Sequence, residues 1–237
     1  LAEVLKVCFA DRLKYMGDPD RVDVPVNGLI SKEYAALRRE EIDLSLVREH
    51  SAGDPASYLG ESADTTHLTV MDAEGNVVAM TQTIHAAFGS KVTTPGTGML
   101  LNNTMYLFDP HPGNANSIEP GKRMLSSMSP TIVLKDEKPF LALGTPGGTR
   151  IFAAVLQAII NVVDHGMTLQ EAVEAPRVWT QGQALEIEDG VSATVRDELE
   201  QMGHTVEVVP RVAGGMNGVM LDPETGLLHG AACWRAD

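Results

Sequence analysis

The stretch DTTHLTVMDAEGNVVAMTQTI, residues 64–84, decides the fold. Thr65 to Met71 and Val77 to Ile84 alternate and are rich in β-branched residues, and Asp72-Ala73-Glu74-Gly75-Asn76 between them is a turn. That spacing predicts a β-hairpin. Residues 51–64 (SAGDPASYLGESAD) are small and polar with Pro and Gly, and read as an exposed linker. A hydroxyl placed directly after a linker and before a core strand can attack the peptide carbonyl that precedes it. This N-to-O shift, followed by ester hydrolysis, would cut between Asp64 and Thr65 and free the Thr65 α-amine. Such an amine has a pKa of about 7.7–8.0 and can serve as general base for its own hydroxyl. Thr65-Thr66 is also what an ordinary strand start looks like, and the pair alone does not single out the chemical reading.

Upstream, Leu1 to Met16 carries apolar residues at 1, 4, 5, 8, 9 and 13, a helical period that Gly17-Asp18-Pro19 stops. Ser31 is placed to cap a second helix, expected to run to about Arg48. Downstream, a Gly- and Thr-rich stretch (Phe88 to Gly98) precedes residues 109–123, which read as a long surface loop. Thr131 to Lys135 and Phe140 to Leu143 predict another hairpin. Gly144 to Gly148 turns into a long apolar helix, Arg150 to Asp164, ended by Gly166. Thr168 and Ser192 cap two shorter helices, and His204 to Val209, Gly218 to Leu221 and Leu228 to Cys233 read as closing strands. Strands, then helices, then strands predict a layered sheet core with packed helices rather than βαβ alternation.

With 18 basic and 32 acidic residues, the net charge of −14 is unsuited to a nucleic-acid groove. No apolar run reaches the length of a membrane span. Cys8 and Cys233 make neither a metal pattern nor a disulfide framework, and buried free thiols are expected. The chain opens inside a helix and closes on a strand, so it reads as part of a larger protein.

Two further stretches could do chemistry. In Gly144-Thr145-Pro146-Gly147-Gly148-Thr149-Arg150, adjacent glycines before a helix can aim backbone N–H groups at an oxyanion. A tight structural turn uses the same residues, and the Gly-Lys-Ser/Thr ending of a phosphate loop is missing. In Arg123-Met124-Leu125-Ser126-Ser127-Met128-Ser129-Pro130, paired serines and a nearby Arg could receive a substrate carboxylate, or simply cap a turn. The seven histidines form no metal-binding spacing, so neither metal nor cofactor is expected.

Taken in order, Asp64-Thr65-Thr66-His67, the Asp-x-x-Gly-Asn turn at 72–76, Gly96 to Asn103, Leu125 to Thr131 and Gly144 to Gly148 resemble the γ-glutamyltransferase family of N-terminal-nucleophile hydrolases. The resemblance implies an α+β fold, the four-layer αββα sandwich. It implies residues 1–50 as the helical tail of a large subunit, 51–64 as the linker ending at the cleavage site, and 65–237 as the small subunit. Thr65 would be nucleophile and α-amine base, and Thr83 would position it. Gly147 and Gly148 would form the oxyanion hole. Ser126, Ser127, His85, Thr104 and Arg123 would contact substrate. The implied partners are a small-molecule amide, glutathione-like or another N-acyl amide, and the large-subunit segment upstream of Leu1. The processed halves would form a heterodimer, periplasmic or secreted.

Three departures from the family pattern bear on the acyl group. Thr104 stands where a polar or acidic residue usually follows the Asn-Asn pair. His85 replaces the usual Asn two residues after the positioning threonine. Leu107 replaces an Asp that pairs with the donor's α-ammonium, and an unpaired ammonium in a closed pocket is costly. Two alternatives therefore stand beside a γ-glutamyl enzyme: a glutaryl-type cephalosporin acylase without glutamyl transfer, and a catalytically silent homologue.

Overall fold

A computed structural model describes residues 1–50 and 65–236. Residues 51–64, the predicted linker with Asp64 of the predicted cleavage site, lie outside the described residues. The described residues form two compact units: residues 1–50, 104–126 and 178–209, and residues 65–103, 127–177 and 210–236.

In the first unit, helix α1 (Ala2–Tyr15) buries Leu5 and Phe9, and Phe9 meets Trp179 edge-on at 5.9 Å between ring centroids. A short helix α2 (Val26–Leu29) precedes α3 (Lys32–Arg39), whose cap Ser31 accepts from the Tyr34 amide at 3.1 Å. The expected continuation of α3 to Arg48 does not form. Asp43 instead accepts from the Ser45 amide at 2.9 Å and from its hydroxyl, a side-chain turn that competes with helix. Leu44 beyond it is 89% exposed, so extending the helix would have buried nothing. Cys8 is exposed, contrary to expectation, whereas Cys233 of the second unit is buried.

In the second unit, β1 (Thr65–Met71) and β2 (Val77–Thr83) form the predicted antiparallel hairpin. The second hairpin, β3 (Thr131–Lys135) and β4 (Lys138–Gly144), turns through Asp136 and Glu137, both at positive φ as a two-residue primed turn requires. Helices α4 (Ile151–Val163) and α5 (Leu169–Glu174) follow, and Thr168 and Glu171 close α5 with a reciprocal capping box.

The chain then re-enters the first unit. Strands β5 (Val178–Trp179) and β6 (Leu185–Glu188) pair antiparallel, and β6 pairs in parallel with β7 (Val206–Val209) across α6 (Ala193–Gln201). One βα-crossover is therefore present where none was expected. Leu185 and Ile187 face Ala2 and Leu199 in this unit's core.

Back in the second unit, β8 (Asn217–Leu221) and β9 (Leu228–Ala232) complete a four-stranded sheet of order β3-β4-β8-β9. The β1-β2 hairpin lies on one face of this sheet, while α4 and α5 cover the other through Leu141, Leu143, Ala154, Val155 and Val173. Two β layers and a helical layer thus come from this unit. Leu68, Val70, Val78 and Met80 line the outward face of the hairpin and are exposed.

Candidate functional site

Thr65 opens β1 directly opposite Thr83, the last residue of β2. Alternate strand residues share a face, so Thr65 points the same way as His67, Thr69 and Met71, and Thr66 points outward with Leu68 and Val70. His67 is buried, with Nδ1 2.8 Å from Thr81 Oγ1. Burial pushes its imidazole below the ordinary histidine value, which keeps the ring neutral at pH 7. The ring lies against Gly144: a Cβ there would fall within 2.7 Å of His67 Nε2 and closer still to Cε1 and Nδ1. The far end of the hairpin, Met71 to Gly75, shares a cavity with Lys138, Pro139 and Leu221, whereas Gly144 and its partner Asn217 close the other end of the sheet, so Thr65 and the glycine turn occupy one end of the layered unit.

That turn is tightly supported. Gly147 has φ +138° and Gly148 +59°. The Thr145 hydroxyl donates to Gly214 O at 2.9 Å, and the Gly214 amide donates back to Pro146 O at 2.8 Å. Behind it the buried Arg177 donates to the carbonyls of Val212, Gly214 and Val173. Thr83 Oγ1 accepts from the His85 amide at 2.8 Å, and His85 itself adopts φ +76°. Asn103 closes the loop that follows, its Oδ1 accepting from the Ala86 amide at 3.0 Å and its own amide donating to Ile84 O.

The remaining candidates are distributed between the units. Ser127 is half-buried in the second unit; exposed Ser126 and half-buried Thr104 belong to the first, where Thr104–Leu107 is a 3-10 turn. The 109–123 stretch is more ordered than a surface loop. Buried Asn116 donates to Leu107 O at 2.8 Å and accepts from the Leu125 amide at 3.0 Å. Arg123 grips Asp18 with its amide (2.9 Å) and Nε (3.0 Å), and reaches Asp20 with Nη2 (2.6 Å).

The Arg123 side chain, then its amide, hold the Asp18 carboxyl well below the usual carboxylate range. A depressed carboxyl contributes stability that is present above the unfolded value of about 3.9 and lost as pH falls through the folded value. Asp18→Asn is therefore expected to lower the melting temperature of the full-length protein at pH 7. The variant and wild-type curves should converge below about pH 4, where the wild type begins to lose this contribution. A difference that stays constant from pH 7 to pH 2 would show that the ion pair is not its source.

A family profile described as gamma-glutamyltranspeptidase matches residues 1–237. The acylase ACY 1 proenzyme of Pseudomonas sp. (strain SE83) is 55% identical over 237 residues, covering 100% of this chain and 42% of that protein. The chain belongs to the gamma-glutamyltranspeptidase family. It spans about two-fifths of the length of the curated relatives it matches. Among solved structures, the cephalosporin acylase from Bacillus halodurans superposes with a TM-score of 0.87 at 30% identity, over 99% of this chain and 42% of that one. An acivicin-inhibited gamma-glutamyltranspeptidase, reported with critical roles for its C-terminus in autoprocessing and catalysis, superposes with a TM-score of 0.68 at 43% identity. It covers 73% of this chain and 99% of its own. The fold is thus the α+β N-terminal-nucleophile hydrolase fold that the sequence resemblance implied.

Seen as a gamma-glutamyltranspeptidase-family fold, the site contains three side chains whose parts the sequence reading missed: His67, Arg177 and Asn217, whose side-chain amide joins His67 O and Thr69 Oγ1. Of these only His67 left a signal, as the fourth residue of the Asp-Thr-Thr-His stretch.

Proposed function

We propose that the full-length protein is an autoprocessing amidohydrolase and acyltransferase whose nucleophile is Thr65, freed by cleavage after Asp64. The observation that carries this reading is Thr65 at the start of β1, opposite Thr83 and on the face toward Gly144, at the end where the Gly147-Gly148 turn begins. The extent of the solved gamma-glutamyltranspeptidase chain supports the cut. Residues 65–237 are 173 of the 237, the same 73% share that this separate chain covers.

In the reaction, Thr65 Oγ1 attacks the amide carbonyl carbon while the Thr65 α-amine takes the hydroxyl proton. The carbonyl oxygen becomes an oxyanion, held by the amides of Gly147 and Gly148. Collapse breaks the C–N bond, and the leaving amine receives the proton from the α-ammonium. The acyl ester on Thr65 is then attacked by water, or by an amine in transfer, with the α-amine again carrying the proton. Thr83 orients the nucleophile. Ser126 and Ser127 receive the acyl group's distal carboxylate, and Arg123 adds positive charge partly offset by Asp18 and Asp20. His85 and Thr104 contact substrate.

Leu107 favours an acyl group with a carboxylate and no ammonium, and 55% identity to a protein named an acylase points the same way. A panel of γ-glutamyl-p-nitroanilide, glutaryl-p-nitroanilide and a glutaryl-cephalosporin on the full-length protein tests this reading. Higher kcat/KM for the glutaryl compounds is expected. A preference for the γ-glutamyl compound would overturn the acyl assignment and leave the nucleophile standing. Hydrolysis of none of them, with an uncut chain by mass spectrometry, would overturn both.

A further inference from the structure

We infer that Asn217 is a positioning residue, which ties the strand bearing the nucleophile to the strand bearing the oxyanion turn. The inference rests on the reading of Thr65 as nucleophile. The β1-β2 hairpin and the β3-β4-β8-β9 sheet are separate hydrogen-bonded sheets packed face to face. Apolar packing between sheets is non-directional and leaves their relative slide poorly fixed. Directional bonds across the interface remove that freedom. Asn217, on β8, supplies two of them to β1: its Nδ2 donates to His67 O at 2.8 Å, and its Oδ1 accepts from Thr69 Oγ1 at 3.0 Å. Both β1 groups are within four residues of Thr65.

On its other side Asn217 pairs in the β4-β8 ladder with Gly144, the residue from which the 145–148 turn departs. The same chain segment runs back through Met216 to Gly214, whose amide and carbonyl hold Pro146 and Thr145. One side chain therefore links the nucleophile's strand to the rung where the oxyanion turn begins. His67 adds a steric stop in the same place, its ring filling the space that a side chain at 144 would need. A misplacement of about 1 Å between reacting groups can cost about 100-fold in rate, so the tie acts on the chemical step.

The test uses the full-length protein and the p-nitroanilide that the wild type hydrolyses faster. Asn217→Asp keeps the shape and the acceptor for Thr69 but sets a carboxylate oxygen against His67 O; Thr69→Val removes one hydroxyl with little change of shape. Nucleophiles are counted by burst titration, and kcat is expressed per titrated site. Asn217→Asp is expected to lower kcat per site by about 10- to 100-fold with KM changed less than about 2-fold. Thr69→Val should fall by about 2- to 10-fold, and the double variant no further than Asn217→Asp, because both break one tie. An Asn217→Asp protein that melts like wild type yet stays uncut also supports the role, since cleavage uses the same hydroxyl. If Asn217→Asp fails to fold, Thr69→Val decides. Unchanged kcat per site in the variants, with splitting as complete as in the wild type, overturns the role of Asn217 alone, whatever the melting temperature. A wild type that neither splits nor hydrolyses either anilide overturns the reading of Thr65, and this role with it.

Discussion

Replacing Thr65 by alanine is expected to leave the full-length protein as one uncut chain with amide turnover reduced roughly 10⁴-fold or more. The size of the effect follows from one residue holding two roles. Alanine removes the hydroxyl that attacks the substrate, and by blocking the N-to-O shift it also denies the protein the α-amine that serves as base. The neighbouring threonine does not rescue the variant. Thr66 points to the opposite face of the hairpin, with Leu68 and Val70, away from Thr83 and the glycine turn. Thr65→Ser keeps the hydroxyl and should split and turn over, with a deficit from the freer rotamer of an unbranched side chain. Intact-mass measurement gives the splitting, and initial rates with a p-nitroanilide give turnover. A Thr65→Ala protein that still splits between residues 64 and 65, or hydrolyses at more than about a hundredth of the wild-type rate, would sink the mechanism.

The parts legible in the sequence were those with short-range causes. The β1-β2 hairpin could be read because alternation and a Gly-Asn turn lie within some twenty residues, and α4 because a run of apolar residues ends at glycine. The glycine turn could be read as an anion-ready bend, although not as one wedged against Ala213. The end of α3 was misread because helix propensity from Glu40 to Arg48 says nothing about whether a helix there would meet a core; Leu44 and Leu46 find none. The two-residue β5 and four-residue β6 are too short to show a period. Arg177 and Asn217 were illegible for another reason: their partners are 35 to 150 residues away in sequence, apart from the local Val173 carbonyl. A buried arginine that satisfies carbonyls, and an asparagine that bridges two sheets, leave no periodic trace.

Gly147→Ala tests the other half of the catalytic proposal, and kcat per titrated nucleophile is expected to fall by about 10²- to 10³-fold. Two effects act together there. The φ of +138° lies in a region that L residues rarely adopt, which costs on the order of 1–3 kcal/mol. An added Cβ would also stand 2.6 Å from both Cα and Cβ of Ala213 and 3.1 Å from the Gly214 amide nitrogen. These contacts are with backbone and a short side chain, so no flexible tip can swing clear; the turn itself must rotate. Rotation of the 146–148 peptides re-aims the two N–H groups that would meet the oxyanion, and the loss falls on the transition state more than on substrate binding. KM should therefore move little while kcat collapses. Gly75→Ala provides the contrast. Its φ is +86°, but nothing lies within 4 Å of the new Cβ, so only the conformational cost applies, about 1 kcal/mol of stability. Turnover per site in that variant should stay at the wild-type level. If Gly147→Ala also retained more than about a tenth of wild-type kcat per site, the backbone at 147 would not be the oxyanion donor. The charge that develops on the carbonyl oxygen would then need a different partner.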